Sequence, residues 1–460
     1  MLICIHKKII SGEDKLYNFH EGVYADVRVE DRFNTIIRFT DGKLEEKKVR
    51  EEKRAFVRVF DGKMWYYAST TDVGKVQDKI DELSEKAKHS AKINSNKIVK
   101  KFEVNNDVKM QFCAECVKNV PISEKIALIK EYLPELTFSK VASMPTAVYL
   151  DRYSVFEFYS SKGAYIKYDY QTAGFRLGVT LSDGDKRLSA NFQRGDVKFS
   201  SLKGLKRKIK DSIKEQIDFM ENSVGVTAGE YPVILSPEAA GVFAHESFGH
   251  KSEADFMLAD EGIKREWTIG KPVGSPILSI VDSGKILGSG YCPYDDEGTR
   301  ARKNYVIKNG ILTGRLHSAP TACALKEKLT GNARAINCTF EPIVRMTTTY
   351  IEKGDLSLKE LFAGVKHGYY IKTIKHGSGM SKFTIAPHLA YEIENGEITR
   401  PVQISVITGD VFTTLGLIDG LSDKVELLSF VTGGCGKMEQ QGLPVGFGGP
   451  HVRISKIFLQ

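Results

Sequence analysis

The stretch Tyr231–Asp255, YPVILSPEAAGVFAHESFGHKSEAD, decides how the chain is read. Pro232 to Leu235 is a short apolar strand. Ser236 is a good N-cap, Pro237 suits the first helical position and Glu238 complements the helix dipole. The pattern predicts a helix from Pro237 through Ala239, Ala240, Val242, Phe243 and Ala244. That helix delivers His245-Glu246-Ser247-Phe248-Gly249-His250. In the familiar zinc-peptidase pattern HExxH the two histidines stand four apart, about 40° round a helix, and both rings face one ion. Here they stand five apart, which on an ideal α-helix separates them by about 140°. Gly249 can end or bulge the helix and let His250 swing back, so an interruption at or near Gly249 is expected.

A catalytic zinc takes three protein ligands and keeps one position open. The downstream candidate for the third is Cys435, in Thr432-Gly433-Gly434-Cys435-Gly436-Lys437. Its flanking glycines allow a sharp turn, and a thiolate is a good zinc ligand. The site read from these residues is Zn2+ on His245, His250 and Cys435. Glu246 would take a proton from the metal-bound water and pass it to the leaving amine. The plainer reading is two chance histidines and a cysteine used for packing.

Outward from this segment, 460 residues suggest two domains. The expected fold class is α+β, with an N-terminal mixed sheet and helices over 1–225. A strand-rich C-terminal domain over 226–460 carries the metal-site helix. In the first half, Ala25 to Val29, Thr35 to Thr40, Ala55 to Phe60 and Lys63 to Ser69 read as short strands, with turns at Asp41-Gly42 and Asp61-Gly62. Val73 to Lys92 and Ser123 to Leu133 read as helices, the second capped by Ser123. A β-meander follows from Ala147 to Phe199, then a basic helix from Leu202 to Asn222. Ile209, Ile213 and Ile217 recur at helical spacing within and after the run KGLKRKIKDSIK, residues 203–214. A solvated helix with one buried stripe accounts for that run.

Composition narrows the class. The chain is 42% hydrophobic and 27% charged, and no run approaches the roughly 18 apolar residues of a membrane span. MLICIHKKII at the start is interrupted by His6, Lys7 and Lys8 and lacks the order of a signal peptide, so a cytoplasmic address is expected. Seven cysteines, from Cys4 to Cys435, form no dense framework and fit a reduced compartment. A net charge of +8 favours encounters with anions without naming one. Cys113 and Cys116 form a CxxC with no second pair to complete a zinc ribbon. The tail Gly442 to Gly449 lacks the Lys-Ser/Thr of a phosphate loop, and no GxGxxG opens a helix, so no nucleotide cofactor is expected.

HESFGHKSEADF (245–256) resembles the metal-binding segment of the TldD/PmbA family, on the TldD side that keeps its metal. The resemblance continues through Asp295-Asp296-Glu297-Gly298, YVIKNGILTGRL (305–316), GNARA (331–335), RMTTTYIEKG (345–354), the stretch from Gly377 to Pro401, and GGCGKMEQQGLPVGFGGP (433–450). It implies a metalloprotease acting on unfolded peptides or flexible protein segments. It further implies a homodimer, or a heterodimer with a metal-less PmbA-type paralogue, and ligand roles for His245, His250 and Cys435 beside Glu246. Glu253 and Asp255 become candidates to orient a ligand imidazole. Residues 295–298 become a loop near the cleft or a polar turn, and His376 and His388 read as ordinary histidines.

Two alternatives stay open. A cysteine hydrolase would use Cys435 as nucleophile with a histidine base. A non-enzymatic modulator, of the kind the family's association with DNA gyrase suggests, would bind nucleic acid or protein through the 203–214 run. No nucleic-acid module is recognisable, and neither membrane nor nucleic acid is an expected partner. A Gly-rich cleft suggests an extended peptide held by backbone pairing to a sheet edge.

Overall fold

The computed structural model describes residues 16–379 and 381–460, so the MLICIHKKII stretch and Cys4 lie outside the described residues. The architecture is mixed α and β and strand-rich, as the pattern predicts. Seven strands form the N-terminal sheet: β1 (Tyr24–Thr40), β2 (Lys43–Phe60), β3 (Trp65–Thr70), β4 (Asn106–Lys109), β5 (Ala142–Ser160), β6 (Tyr165–Asp183) and β7 (Lys186–Asp196). Their order is β3-β2-β1-β5-β6-β4, with β7 beside β6. Helices α1 (Val76–Lys86), α2 (Lys97–Lys101), α3 (Ile122–Tyr132) and α4 (Lys206–Asn222) accompany it. Asp41 and Gly42 take φ of 49° and 72°, the positive angles of a tight hairpin turn.

Odd-numbered residues of β1 make the apolar face. Val27 and Val29 pack with Val57, Val59 and α1, while Ile37 and Phe39 pack with Tyr149, Phe175, Leu177, α3 and α4. Helix α4 buries Ile209 and Ile213 and turns its lysines outward. Several boundaries differ from expectation. The expected helix from Val73 to Lys92 is α-helical only over Val76–Lys86, and α3 begins after Pro121, so Ser123 does not cap it.

The larger correction is that Ala25 to Val29 and Thr35 to Thr40 belong to one strand of 17 residues. The charged stretch between them stays extended because its side chains serve the opposite face. There Asp26, Arg28, Glu30 and Arg32 of β1 lie beside Arg58 and Phe56 of β2, Arg152 and Phe158 of β5, and Tyr168 and Tyr170 of β6. This polar face meets the C-terminal half. Arg58 donates to Asp26 at 2.6 Å and to Glu297 at 3.2 Å. Arg28 pairs with Asp296 at 3.2 Å and donates to the Phe340 carbonyl at 2.6 Å. The 295–298 loop is therefore a buried clamp. Asp295 accepts the backbone N–H groups of Glu297, Thr299 and Ala333, and Glu297 accepts that of Ala319.

The C-terminal half holds two main sheets. In one, the strands Gly229–Leu235, Val452–Leu459, Ile407–Asp410, Lys382–Glu394 and His367–Gly379 pair in that order, and the last returns to the first, closing a ring. The other has six strands and includes Ile280–Ser283, Thr348–Ile351 and Gly446–Gly449. Between them lies α5 (Pro237–Ala244), with Ala239, Ala240, Phe243 and Ala244 buried. A Cβ on Gly241 would stand 2.5 Å from the Gly448 nitrogen and 2.6 Å from its Cα, so helix and strand touch backbone to backbone. Gly241→Ala should accordingly destabilise the fold by about 3 kcal/mol, the upper end for overpacking against atoms that cannot rotate away. Denaturant unfolding checks this, and a loss below roughly 1 kcal/mol would contradict the close approach. No helix among the described residues is long and apolar enough to cross a membrane.

Candidate metal centre

Helix α5 starts as its sequence dictates. Ser236 Oγ accepts the Ala239 N–H at 3.1 Å and donates to the Lys372 carbonyl at 2.7 Å. Its other end is interrupted near Gly249, as the spacing predicts. The α-helix gives way at His245, ahead of Gly249, to a π turn over His245–Gly249 and a 3-10 turn over His250–Ser252. The His250 N–H bonds to the His245 carbonyl, five residues back. A turn closed by such a bond is wider than an α-turn, so residues five apart come round to one side. The two rings meet with centroids 5.1 Å apart. Gly249 keeps ordinary helical angles, φ −57° and ψ −53°. It is glycine for room: a Cβ there would lie 2.1 Å from Met346 Sδ.

Cys435 arrives on a two-stranded hairpin in which Cys435–Lys437 pairs with Gln440–Leu443. Buried Arg345 pins both strands, donating to the Cys435 carbonyl at 2.7 Å and to the Gln440 carbonyl at 3.1 Å. Cys435 Sγ lies 3.5 Å from His250 Nε2. His245, His250 and Cys435 each offer a donor atom, and these atoms all lie within 4.8 Å of one another. Burial opposes a thiolate at Cys435, but hydrogen bonds from His245 and His250, with their charge, outweigh it and bring the thiol down to about 5. Burial also opposes a charged His250, and Cys435 and Glu253 overcome it, raising the imidazole to about 10.

The surrounding residues hold these groups in place. Glu253 Oε2 sits 3.3 Å from His250 Nδ1 and 3.0 Å from Lys437 Nζ. Burial works against its charge, yet His250 and Lys437 keep its carboxyl below the usual range. Asp255 reaches Lys437, at 2.7 Å and 2.8 Å, so its hold on the imidazole is indirect. Lys437 was not singled out from the sequence. The signal was its spacing: two residues after Cys435 on a strand puts it on the same face.

The donors fit an ion. Nδ1 of buried His245 has no hydrogen-bond partner, and two imidazoles with an ionised thiol match the ligand preferences of zinc. Glu246 is partly exposed and makes no hydrogen bond or ion pair among the described residues. Its Cγ lies 3.2 Å from where a Cβ on Gly377 would be. His376 is exposed and His388 buried, and neither joins the cluster. Cys113 and Cys116 join no metal-binding group among the described residues.

Glu238, in the first turn of α5, does more than complement the helix dipole. Its carboxylate accepts the Ile374 N–H at 3.2 Å, and burial pushes its pKa from 4.5 up to about 7. A carboxyl raised in the fold carries no penalty below its unfolded pKa. Stability is lost as pH rises through the window from 4.5 to about 7, by about 3 kcal/mol in all. Glu238→Gln should thus be more stable than the parent at pH 8 and nearly equal to it at pH 4.5. An identical difference at both pH values would contradict the buried neutral form.

Family models match the chain in order: PmbA/TldA metallopeptidase domain 1 over residues 25–91, the central domain over 116–229 and the C-terminal domain over 228–460. The chain belongs to the PmbA/TldD metallopeptidase family. A metalloprotease of Methanocaldococcus jannaschii is 31% identical over 94% of this chain and 96% of its own. A zinc metalloprotease TldD homolog of Saccharolobus solfataricus is 33% identical over 65% of this chain and 68% of its own. TldE from Thermococcus kodakarensis superposes with a TM-score of 0.74 at 16% identity, covering 95% of this chain and 96% of its own. A Thermotoga maritima protein described as a candidate modulator of a DNA gyrase gives 0.75 at 19% identity, with the same coverage. These two establish a shared fold. Within this PmbA/TldD chain the three converging donors all fall in the C-terminal domain.

Proposed function

We propose that this chain is a zinc-dependent peptidase that hydrolyses unfolded or flexible peptides, with Glu246 as general base. The observation that carries the reading is the convergence of His245, His250 and Cys435, with Glu246 following the first of them in the chain. A bound ion would polarise the scissile carbonyl and make water more acidic. Glu246 takes the proton of the attacking water and returns it to the leaving nitrogen. Glu253 and Lys437 fix the His250 ring, and Arg345 fixes the hairpin carrying Cys435.

An extended peptide suits the surroundings. The strand His367–Gly379 pairs along its length with Lys382–Glu394, but with Gly229–Leu235 only at residues 369–371. Beyond Ile374, whose N–H is taken by Glu238, that side has no strand neighbour among the described residues, which favours recognition through the backbone. The proposal includes a dimer, of two copies or with a metal-less PmbA-type paralogue. It also includes a cytoplasmic site of action, supported by the free thiols of Cys116, Cys292, Cys323, Cys338 and Cys435.

Elemental analysis should find one zinc per chain. Chelation should abolish cleavage of an unstructured peptide, and zinc should restore it. One observation favours a second reading: the Cys435 and His250 pair at 3.5 Å is also what a cysteine hydrolase uses. Activity that survives chelation and is lost on alkylation of Cys435 would establish that reading and overturn the first.

A further inference from the structure

Where the polar face of the N-terminal sheet meets the C-terminal domain, a cavity of about 50 Å³ lies between Arg28, Arg32, Arg152, Tyr170 and Arg334. The lining carries four guanidinium groups against two carboxylates, Glu30 and Asp296. Three of the four are committed. Arg28 pairs with Asp296. Arg32 grips Glu30 through two hydrogen bonds of 2.8 Å. Arg334 donates to the carbonyls of Met346 and Pro444.

Arg152 is different. It stands on β5 opposite Asn34 and Thr172, and it makes no hydrogen bond or ion pair with any described residue. The carboxylates whose field reaches it, Glu30 and Glu52, are held by Arg32 and Arg54. Arg152 is partly exposed and keeps its proton, so its charge is answered there by solvent alone and is open to an external anion. The planar fork of donors matches an oxyanion.

We propose that this cavity binds one compact oxyanion, a carboxylate or an inorganic phosphate, on Arg152. The cavity would hold a group of that size with little room to spare, and Tyr168 and Tyr170 form part of its lining. The inference does not depend on the peptidase reading.

Titration of the full chain with inorganic phosphate and with acetate, against chloride at equal ionic strength, tests it. Calorimetry should show saturable binding of one anion per chain by at least one of the two, which separates a tetrahedral from a carboxylate ligand. The unfolding midpoint should rise by roughly 3 °C at a hundredfold excess over Kd. Arg152→Met should weaken binding by roughly thirtyfold or more. In chloride alone it should be no less stable than the parent, because an uncompensated charge is gone. Arg152→Lys keeps the charge and loses the fork, so it should bind weakly while folding normally, and it serves if the methionine variant does not fold. No saturable binding in the parent overturns the proposal. So does phosphate binding that persists in the Arg152 variants, which would place the anion at the metal centre or elsewhere.

Discussion

Replacing Cys435 by alanine is expected to empty the metal centre and abolish peptide cleavage while leaving the fold in place. Cys435 is the anionic donor of the three, with its thiol already brought down to about 5. Without it, two imidazoles remain, and a divalent ion loses both a ligand and the charge that offsets its own. Outer partners alone change metal affinity by roughly 10–100-fold, so the loss of this ligand should exceed about a hundredfold. The fold should survive because Arg345 grips the Cys435 carbonyl, a backbone atom that alanine retains. The change in stability should stay near 1 kcal/mol, the scale of deleting one small buried group. Zinc per chain after gel filtration, beside a thermal unfolding curve, checks both parts. Near-stoichiometric zinc in the variant would remove Cys435 from the ligand set, and global unfolding would show that the hairpin needs its sulfur.

What the sequence made legible was local chemistry. Ser236, Pro237 and Glu238 announce the start of α5 through propensities that act within one turn. The residue types in His245, Glu246, His250 and Cys435 suggest a metal site, and the convergence of three of them is what the fold adds. The bond that reconciles the five-residue spacing was not legible, because a π turn is a tertiary outcome. The turn runs past Met346, which leaves no space for a side chain on Gly249, in a helix whose Gly241 rests on Gly448. Those partners lie about a hundred or two hundred residues away in sequence. Gly249 serves the turn through a close approach to Met346 in place of a hinge.

The N-terminal sheet fails for a related reason. Alternation along β1 is intact, but its second face is charged and buried against another part of the chain. Single-sequence reading treats buried charge as a loop signal. Arg28, Arg58 and the 295–298 loop form a clamp that neither segment reveals alone. Lys437 was hidden in the same way, since its value lies in reaching Glu253 and Asp255 from another strand.

Glu246→Gln is the change that separates the chemistry from the site. Glu246 is not among the converging donors and makes no hydrogen bond or ion pair among the described residues. The amide should leave zinc content unchanged and alter stability by less than about 0.5 kcal/mol, as for substitutions away from packed features. Glutamine cannot take a proton from water, so kcat should fall roughly a hundred- to ten-thousandfold, the range for losing a positioned general base. KM should move little, because the role proposed for the carboxylate is on the attacking water and not on the peptide. The competing cysteine hydrolase predicts otherwise, since its proton passes between Cys435 and His250 and leaves Glu246 idle. Full activity in the glutamine variant with zinc still bound would therefore end the general-base assignment. Lost zinc would instead mean that Glu246 helps to hold the ion, and its separation from the donor cluster would have to be reinterpreted.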